Sequence, residues 1–168
     1  MKIMILGADG YLGWPTAVDF AFKGHELMLV DNYIKRKLMS KYKKKPLTVS
    51  PKLDKKTSLL NKMKCKVSYS NIDCSNFPLI KNLINNFKPD AIIHYAELPS
   101  APYSMIGYNE SWKTLQNNLQ TTLNIVWGIK NLKKNCHIIK LGTMGEYGTP
   151  NIDIEEGWID INHNGRKD

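Results

Sequence analysis

Short runs of strand-forming residues alternate along the chain with longer stretches in which apolar residues recur at helical spacing. The short runs predict strands near residues 2–6, 26–30, 66–70, 91–94 and 137–141. The longer stretches predict helices over residues 12–23, 55–63, 77–87 and 109–131. Strands and helices that alternate at this spacing favour a parallel sheet covered on both faces. The sequence therefore predicts an α/β fold built on a doubly wound parallel sheet.

A glycine-rich turn follows the first predicted strand. Residues 7–13 read Gly-Ala-Asp-Gly-Tyr-Leu-Gly, after the apolar run 3–6 and before a helix that carries Pro15 in its first turn. Strand, glycine turn and helix in this order are typical of a Rossmann-type dinucleotide site. The alternative is a glycine-rich turn that binds no ligand.

Each glycine of the turn has a separate task in such a site. Gly7 permits the tight turn, Gly10 lets a pyrophosphate approach the backbone, and Gly13 lets the helix lie close to the strand. The free N–H groups of Tyr11 and Leu12 would face the phosphates at the positive end of the helix. These five residues are therefore predicted to bind the cofactor.

An acidic residue ends the second predicted strand. Asp31 lies about 20 residues after Gly10, the spacing of a carboxylate that binds an adenosine ribose. Such a carboxylate accepts hydrogen bonds from both ribose hydroxyls and repels a 2′-phosphate, so NAD is favoured over NADP. The alternative for Asp31 is a turn residue at a strand end. Lys35 and Arg36 lie close by and could still accommodate a 2′-phosphate.

The net charge of +9 comes from one segment. Residues 35–66 hold 13 of the 24 Lys and Arg residues but only one acid, Asp54, a net charge of +12, whereas the rest of the chain carries −3. Lysines without interleaved aromatic residues usually form a solvated face, so no nucleic-acid partner is predicted. We interpret residues near 35–65 as a basic insertion, either a solvated face or an anion-attracting rim beside the cofactor cleft, and residues 46–52 as a loop.

Composition excludes several classes of protein. A hydrophobic content of 42% is enough for a real core, and no apolar run approaches the roughly 18 residues of a membrane span. Cys65, Cys74 and Cys136 are odd in number and lack metal-ligand spacing, so we predict no metal site. Reduced thiols fit a cytoplasmic protein, and the first strand begins too early for a signal or transit peptide.

The predicted strand count is lower than that of a complete dinucleotide fold, which has about six strands. The tail 149–168 is polar and rich in turn residues, and a sheet that stopped at the fifth strand would leave an exposed edge. We therefore expect residues 1–168 to be the N-terminal part of an NAD-binding domain, truncated after about five strands, with the C-terminal substrate domain outside this chain.

Polar residues near other predicted strand ends are further candidates. Asp73 is placed to accept a hydrogen bond from an adenine amino group, although an ordinary strand-end acid is equally consistent with its position. Asn117 and Asn118 lie within the predicted helix 109–131, where side-chain amides are poor helix formers. They are either an exposed polar face or hydrogen-bonding groups beside the cofactor.

Two further segments, 94–105 and 140–157, resemble a known family. The first contains Ser-Ala-Pro-Tyr-Ser-Met and the second contains Leu-Gly-Thr-Met-Gly-Glu-Tyr-Gly. With the glycine turn, they make the chain similar to the extended short-chain dehydrogenases/reductases of the NAD-dependent epimerase/dehydratase family. Within that family, the whole chain resembles the UDP-sulfoquinovose synthases, because ordinary sugar epimerases have a serine-rich segment in place of residues 140–148.

The resemblance implies roles for individual residues. The implied cofactor contacts are Gly7, Gly10, Tyr11, Leu12, Gly13, Asp31, Asn32, Lys35, Asp73 and Asn117. Thr143 matches the catalytic Ser/Thr whose hydroxyl holds the sugar 4-OH, whereas its position alone suits a strand-end cap as well. The implied substrate contacts are Glu97, Ser100, Tyr103, Thr143, Met144 and Gly145. From its position, Glu97 is either a structural acid or a group that contacts substrate or handles a proton.

The resemblance also implies a reaction, which converts UDP-glucose and sulfite to UDP-sulfoquinovose. Oxidation of the glucose at C4 with bound NAD acidifies the C5 proton, water leaves across C5–C6, and sulfite adds to C6 of the 4-keto-5-ene before C4 is reduced again. A homodimer is implied for the full-length protein. The alternatives are another NAD-dependent nucleotide-sugar epimerase or 4,6-dehydratase, and an NAD-binding module without catalysis.

A Tyr-x-x-x-Lys pair supplies the general base in this family and should follow the fifth strand. The chain reaches Asp168 without such a pair after that strand. Tyr33 and Lys37 match the spacing but follow Asp31 at the adenosine end, so we do not interpret them as catalytic. We therefore expect the 168-residue chain alone to be inactive.

Overall fold

One parallel sheet organises the chain. The computed structural model describes residues 1–99, 101–130, 132–143, 148, 154, 157–158, 160 and 162–167. The sheet contains five strands, which are β1 (Lys2–Leu6), β2 (Glu26–Val30), β3 (Lys66–Ser70), β4 (Ala91–His94) and β5 (His137–Lys140). The helices are α1 (Gly13–Phe22), α2 (Ile34–Lys41), α3 (Leu53–Lys62), α4 (Phe77–Phe87) and α5 (Tyr108–Ile129). A 3₁₀ turn covers Tyr103–Met105, and β6 (Asn162–His163) pairs with β7 (Arg166–Lys167) in a separate two-stranded sheet.

The strand order is β3-β2-β1-β4-β5, so the direction of winding reverses at β1. The last residues of the strands pair in one row, in which Leu6 lies between Val30 and His94. Ser70 and Lys140 end the outer strands in the same row. A crevice for a ligand therefore opens at this carboxyl edge, between β1 and β4. The predicted doubly wound sheet is confirmed.

The two faces of the sheet bury alternate residues of the same strands. Ile3 and Ile5 belong to the apolar cluster beneath α1 and α3, whereas Met4 and Leu6 belong to the cluster beneath α4 and α5. This alternation follows from the two-residue period of a strand. Each fully buried Leu or Ile contributes about 1.5–3 kcal/mol of hydrophobic stabilisation, which fixes the strand register and hence the carboxyl edge.

The predicted basic insertion has two parts in the structure. Its second half includes α3, which buries Leu53 and Leu60 in the core and serves as the crossover between β2 and β3. Its first half contains α2, a helix that the sequence reasoning missed. α2 is rich in Lys and Arg and buries none of its residues fully, so it has no strong apolar face to reveal it.

No helix within the described ranges is both long enough and apolar enough to span a bilayer.

Candidate cofactor and sugar site

The glycine turn is tightly enclosed by backbone. Gly7 has a φ of +78°, and a Cβ added there would lie 2.6 Å from the carbonyl carbon and oxygen of Tyr95. A Cβ on Gly13 would lie 2.2 Å from the carbonyl oxygen of Gly7. Gly7 therefore serves both the left-handed turn and the close approach of the β4 segment, and Gly13 lets α1 begin against the turn.

The start of α1 presents free hydrogen-bond donors. Among the described residues, the N–H groups of Tyr11 and Leu12 have no hydrogen-bond acceptor, whereas those of Gly7 and Ala8 donate to the carbonyl oxygen of Val30. Unpaired N–H groups at a helix N-terminus attract anions, because the helix dipole adds a partial positive charge there. The turn therefore fits a pyrophosphate.

Three of the predicted adenosine-binding residues lie together after β2 and β3. Asn32 donates a hydrogen bond from its side-chain amide to the Asp73 carboxylate, with an N–O distance of 2.9 Å. The Asp31 carboxylate accepts hydrogen bonds from the backbone N–H groups of Asp9, at 2.9 Å, and Tyr33, at 2.7 Å. One bond falls on each Asp31 oxygen, so the carboxylate retains lone pairs for two ribose hydroxyls.

The two carboxyls differ in their electrostatics. Burial raises the pKa of Asp31, and its two backbone hydrogen bonds only partly oppose this effect. Burial also acts to raise the pKa of Asp73, but hydrogen bonds from Ser75 and Asn32 outweigh it and hold this pKa below its ordinary value. Asp73 is therefore the more firmly ionised acceptor of the pair.

A buried ion cluster beside Asp31 was not predicted from the sequence. The Asp9 carboxylate contacts the Arg36 guanidinium at 2.5 Å and the Lys56 ammonium at 3.0 Å. Arg36 also donates to the carbonyl oxygens of Ser50 and Pro51, which fastens the loop before α3 to the glycine turn.

Lys35, predicted to contact the cofactor, is exposed and has no ion-pair partner within the described part of the chain.

A second polar cluster lies at the ends of β4 and β5. His94 is 1% exposed, and its Nε2 lies 3.3 Å from the Thr122 hydroxyl and 3.7 Å from Glu97 Oε1. The Lys140 ammonium contacts the same Glu97 oxygen at 3.1 Å. Burial and the charge of Lys140 lower the pKa of His94 to about 4, so its ring is neutral near pH 7.

The two asparagines of α5 hold the segment that follows β4. Asn118 accepts a hydrogen bond from the Leu98 N–H and donates one to the Leu98 carbonyl, both at 2.9 Å. Asn117 donates to Asn118 at 3.0 Å and to the Ala96 carbonyl at 3.4 Å. Asn118 therefore holds the backbone of Leu98, a structural role that the sequence did not predict, and Asn117 lies beside the same loop.

The structure describes two of the remaining candidate residues, Tyr103 and Thr143. Tyr103 makes an edge-to-face contact with Tyr42, whose hydroxyl donates to Glu110, so the basic insertion touches the 3₁₀ turn. Thr143 is exposed three residues beyond β5. The predicted substrate residues Ser100, Met144 and Gly145 lie outside the described residues.

Tyr33 does not have the surroundings of a general base. Its side chain is 8% exposed, its hydroxyl oxygen accepts a hydrogen bond from the Leu53 N–H, and burial raises its pKa. Tyr33 therefore belongs to the packed core beside Asp31, whereas Lys37 is exposed.

Known proteins match the chain over most or all of its length. It is 39% identical to the chloroplastic UDP-sulfoquinovose synthase of Spinacia oleracea, over 99% of this chain and 35% of the relative. It is 37% identical to the UDP-sulfoquinovose synthase of Sulfolobus acidocaldarius, over 100% of this chain and 43% of the relative. The solved UDP-Glc/GlcNAc 4-epimerase of Campylobacter jejuni matches with a TM-score of 0.66 and 26% identity, covering 90% of this chain and 40% of the other.

The chain thus spans 35% and 43% of the length of these two curated relatives. These relatives confirm the resemblance predicted from the sequence. The family model of the NAD dependent epimerase/dehydratase family matches residues 3–162, and the free N–H groups of the glycine turn and the Asp31 carboxylate fit the NAD that this family uses. The chain belongs to the NAD dependent epimerase/dehydratase family, and its cofactor is NAD.

Proposed function

We propose that the protein to which this chain belongs is a UDP-sulfoquinovose synthase, which forms UDP-sulfoquinovose from UDP-glucose and sulfite. The observation that carries the proposal is the identity of 37–39% over essentially the whole chain to two enzymes of that name. The identity to the solved 4-epimerase is lower, at 26%. We rank the sulfosugar enzyme above an epimerase or a 4,6-dehydratase on this basis.

The adenosine half of the site would hold NAD through groups that the fold already orients. The N–H groups of Tyr11 and Leu12 would bind the pyrophosphate, and Asp31 would accept from the ribose hydroxyls. Asp73 would accept from the adenine amino group and is itself oriented by Asn32. When bound, NAD supplies the reversible oxidation of the sugar at C4.

The sugar half would be built around Thr143. Its hydroxyl would hold the 4-OH of the hexose beyond the end of β5, at the same carboxyl edge as the crevice between β1 and β4. Glu97, oriented by Lys140 and a quarter exposed, would accept from a hexose hydroxyl. Tyr103, from the described residues, and Ser100, Met144 and Gly145 would complete the substrate contacts.

This arrangement suits the elimination that the reaction requires. A ketone at C4 acidifies the C5 proton, so the 6-hydroxyl can leave as water, and sulfite then adds to C6 of the 4-keto-5-ene. His94 lies beside Glu97 and is neutral, so it adds no positive charge to that of Lys140. The two hydrogen bonds between the Asn118 side chain and the Leu98 backbone fix the loop that carries Glu97. The protein's part is to orient the sugar and to handle protons at fixed positions.

We also propose that the protein is a homodimer through α5. One face of this 22-residue helix exposes a stripe of large apolar side chains, formed by Trp112, Leu115, Leu119, Leu123, Val126 and Trp127. A second copy packed antiparallel would cover this stripe with its own copy of the same stripe. Leu119→Lys should make the full-length protein monomeric in light scattering while Leu59→Lys, on α3, should not; a Leu119→Lys dimer would contradict the proposal.

For the location of the protein we propose the cytoplasm. Cys65, Cys74 and Cys136 are free thiols, which suits a reducing compartment. Intact-mass measurement of the protein from cells, after rapid thiol alkylation, should find all three thiols reduced.

Product analysis tests the proposed reaction. Full-length protein is incubated with NAD and UDP-glucose, with and without sulfite. The nucleotide sugars are separated by chromatography against authentic UDP-glucose and UDP-galactose, which have the same mass, and are identified by mass spectrometry. We expect a sulfonated UDP-hexose that requires both sulfite and NAD. A sulfite-independent UDP-galactose would instead identify an epimerase, and a UDP-sugar that has lost one water would identify a 4,6-dehydratase.

A further inference from the structure

Asp9 occupies the third position of the glycine turn, yet its side chain serves another part of the molecule. Its carboxylate is 7% exposed and lies between Arg36 of α2 and Lys56 of α3. Two guanidinium nitrogens of Arg36 donate to the two carboxylate oxygens, at 2.5 and 2.9 Å, and the Lys56 ammonium donates to one of them at 3.0 Å. One buried acid thus satisfies two cations from the basic insertion.

This cluster lies directly beside the carboxylate proposed to bind ribose. The backbone N–H of Asp9 donates to Asp31, so the two acids are neighbours through a 2.9 Å hydrogen bond. The charge of Arg36 acts to lower the pKa of Asp31, and the Arg36 side chain is about one-third exposed. Lys56 is 5% exposed, and its ammonium lies 4.9 Å from the centre of the Trp14 ring. A 2′-phosphate on the ribose would therefore enter next to Arg36.

We propose that Asp9 determines the preference for NAD over NADP by holding Arg36 and Lys56 in ion pairs, so that neither can pair with a 2′-phosphate. The inference rests on the proposed role of Asp31 as the ribose ligand. It assigns the preference to two acids with different tasks, because Asp31 accepts from the ribose hydroxyls while Asp9 occupies the nearby cations.

The charge balance of the cluster gives the expected size of the effect. Asp9 and Asp31 offset Arg36 and Lys56, so the region is close to neutral. In Asp9→Asn, two cations face one carboxylate, and Arg36 is free to form the paired hydrogen bonds that a guanidinium makes with phosphate. Charge-assisted hydrogen bonds of this kind correspond to about tenfold to hundredfold in affinity. We expect the ratio of the NADP to the NAD dissociation constant to fall at least about tenfold.

The test is direct binding of NAD and of NADP to the full-length protein by calorimetry, for the unmodified protein and for Asp9→Asn. The double variant Asp9→Asn/Arg36→Ala should return the ratio toward its original value, since it removes the cation that would take the phosphate. Asp19→Asn, which breaks the exposed Asp19–Lys23 pair on α1, is the matched control and should leave the ratio unchanged.

Asp9→Asn leaves the buried Lys56 without its carboxylate and could unfold the protein for that reason. Asp9→Asn/Lys56→Met also removes the buried ammonium group and keeps Arg36, so it should show the same gain in NADP affinity. An unchanged ratio in a folded variant that lacks Asp9 and keeps Arg36 would overturn the proposal.

The outcome is distinguishable from failure of the underlying site assignment. Asp31→Ala should weaken NAD binding, and an unaltered NAD affinity in that variant would show that Asp31 is not the ribose ligand. If Asp31→Ala weakens NAD binding while removal of Asp9 leaves the ratio unchanged, the ribose site stands and only the role of Asp9 is wrong.

Discussion

The buried His94 should make the stability of the protein depend on pH. Its ring is 1% exposed at the end of β4, with the Lys140 ammonium part of the same cluster. Both the burial and the cation disfavour a protonated ring, and they lower its pKa to about 4 from an ordinary value of 6.5. In the unfolded chain the ring returns to that ordinary value.

The sign and size of the effect follow from proton linkage. Between pH 4 and 6.5 the unfolded chain binds more protons at His94 than the folded chain, so the free energy of unfolding rises with pH across this window. A pKa difference of roughly two and a half units corresponds to about 3 kcal/mol in total, of which about 2 kcal/mol should be lost between pH 7 and pH 5.

Urea unfolding at pH 7 and pH 5 measures this loss. His94→Gln removes the titrating ring, so its loss between the two pH values should be smaller than that of the unmodified protein by about 2 kcal/mol. Other titrating groups are common to both proteins and cancel in the comparison. His137→Gln, at an exposed position at the start of β5, is the control and should retain the full loss. Equal losses for the unmodified protein and His94→Gln would refute the reasoning.

Three further predictions concern the cofactor and sugar site. Gly13→Ala would place a Cβ 2.2 Å from the carbonyl oxygen of Gly7 and should weaken NAD binding at least about tenfold. Gly107→Ala, whose Cβ would meet only a side-chain oxygen at 3.4 Å, should not weaken it. Equal NAD affinities of Gly13→Ala and the unmodified protein would contradict this account of the turn. Thr143→Val should lower turnover on the order of 10²-fold with little change in NAD affinity, and unchanged turnover would leave Thr143 as a strand-end cap. The unmodified protein should bind NAD more tightly than NADP and lose that preference in Asp31→Ala; equal or tighter binding of NADP by the unmodified protein would exclude the ribose assignment.

The sheet could be predicted almost to the residue because its strands are short and follow the apolar pattern. Four strands have the predicted bounds, and β5 ends one residue early, at Lys140. The helix over 77–87 was also predicted correctly, since it buries Ile80, Ile84 and Phe87 at helical spacing. Buried apolar periodicity determines these elements, and it is visible in the sequence.

The helix α2 could not be predicted in the same way. It begins after Tyr33, which has a φ of 57° and provides no side-chain cap, and none of the residues of α2 is fully buried. Its position depends on Arg36 and Asp9, which are 27 residues apart in the chain. An acid inside a glycine turn followed by a basic segment was the available signal, but pairing over that distance is set by the fold.

The proximity of the candidate adenosine residues could be predicted from their strand ends. Asp31, Asn32 and Asp73 lie together because neighbouring parallel strands end at one edge. The clamp of Asn118 on Leu98 was not predicted, because an amide within a helix does not reveal which backbone groups it will meet.

A crystal structure of the full-length protein with NAD would test the central claim most directly. The account predicts pyrophosphate oxygens about 3 Å from the N–H groups of Tyr11 and Leu12, ribose hydroxyls on Asp31, and the nicotinamide on the β4–β5 side near Thr143. A pyrophosphate bound away from the glycine turn, or an adenosine on the β4–β5 side, would contradict it.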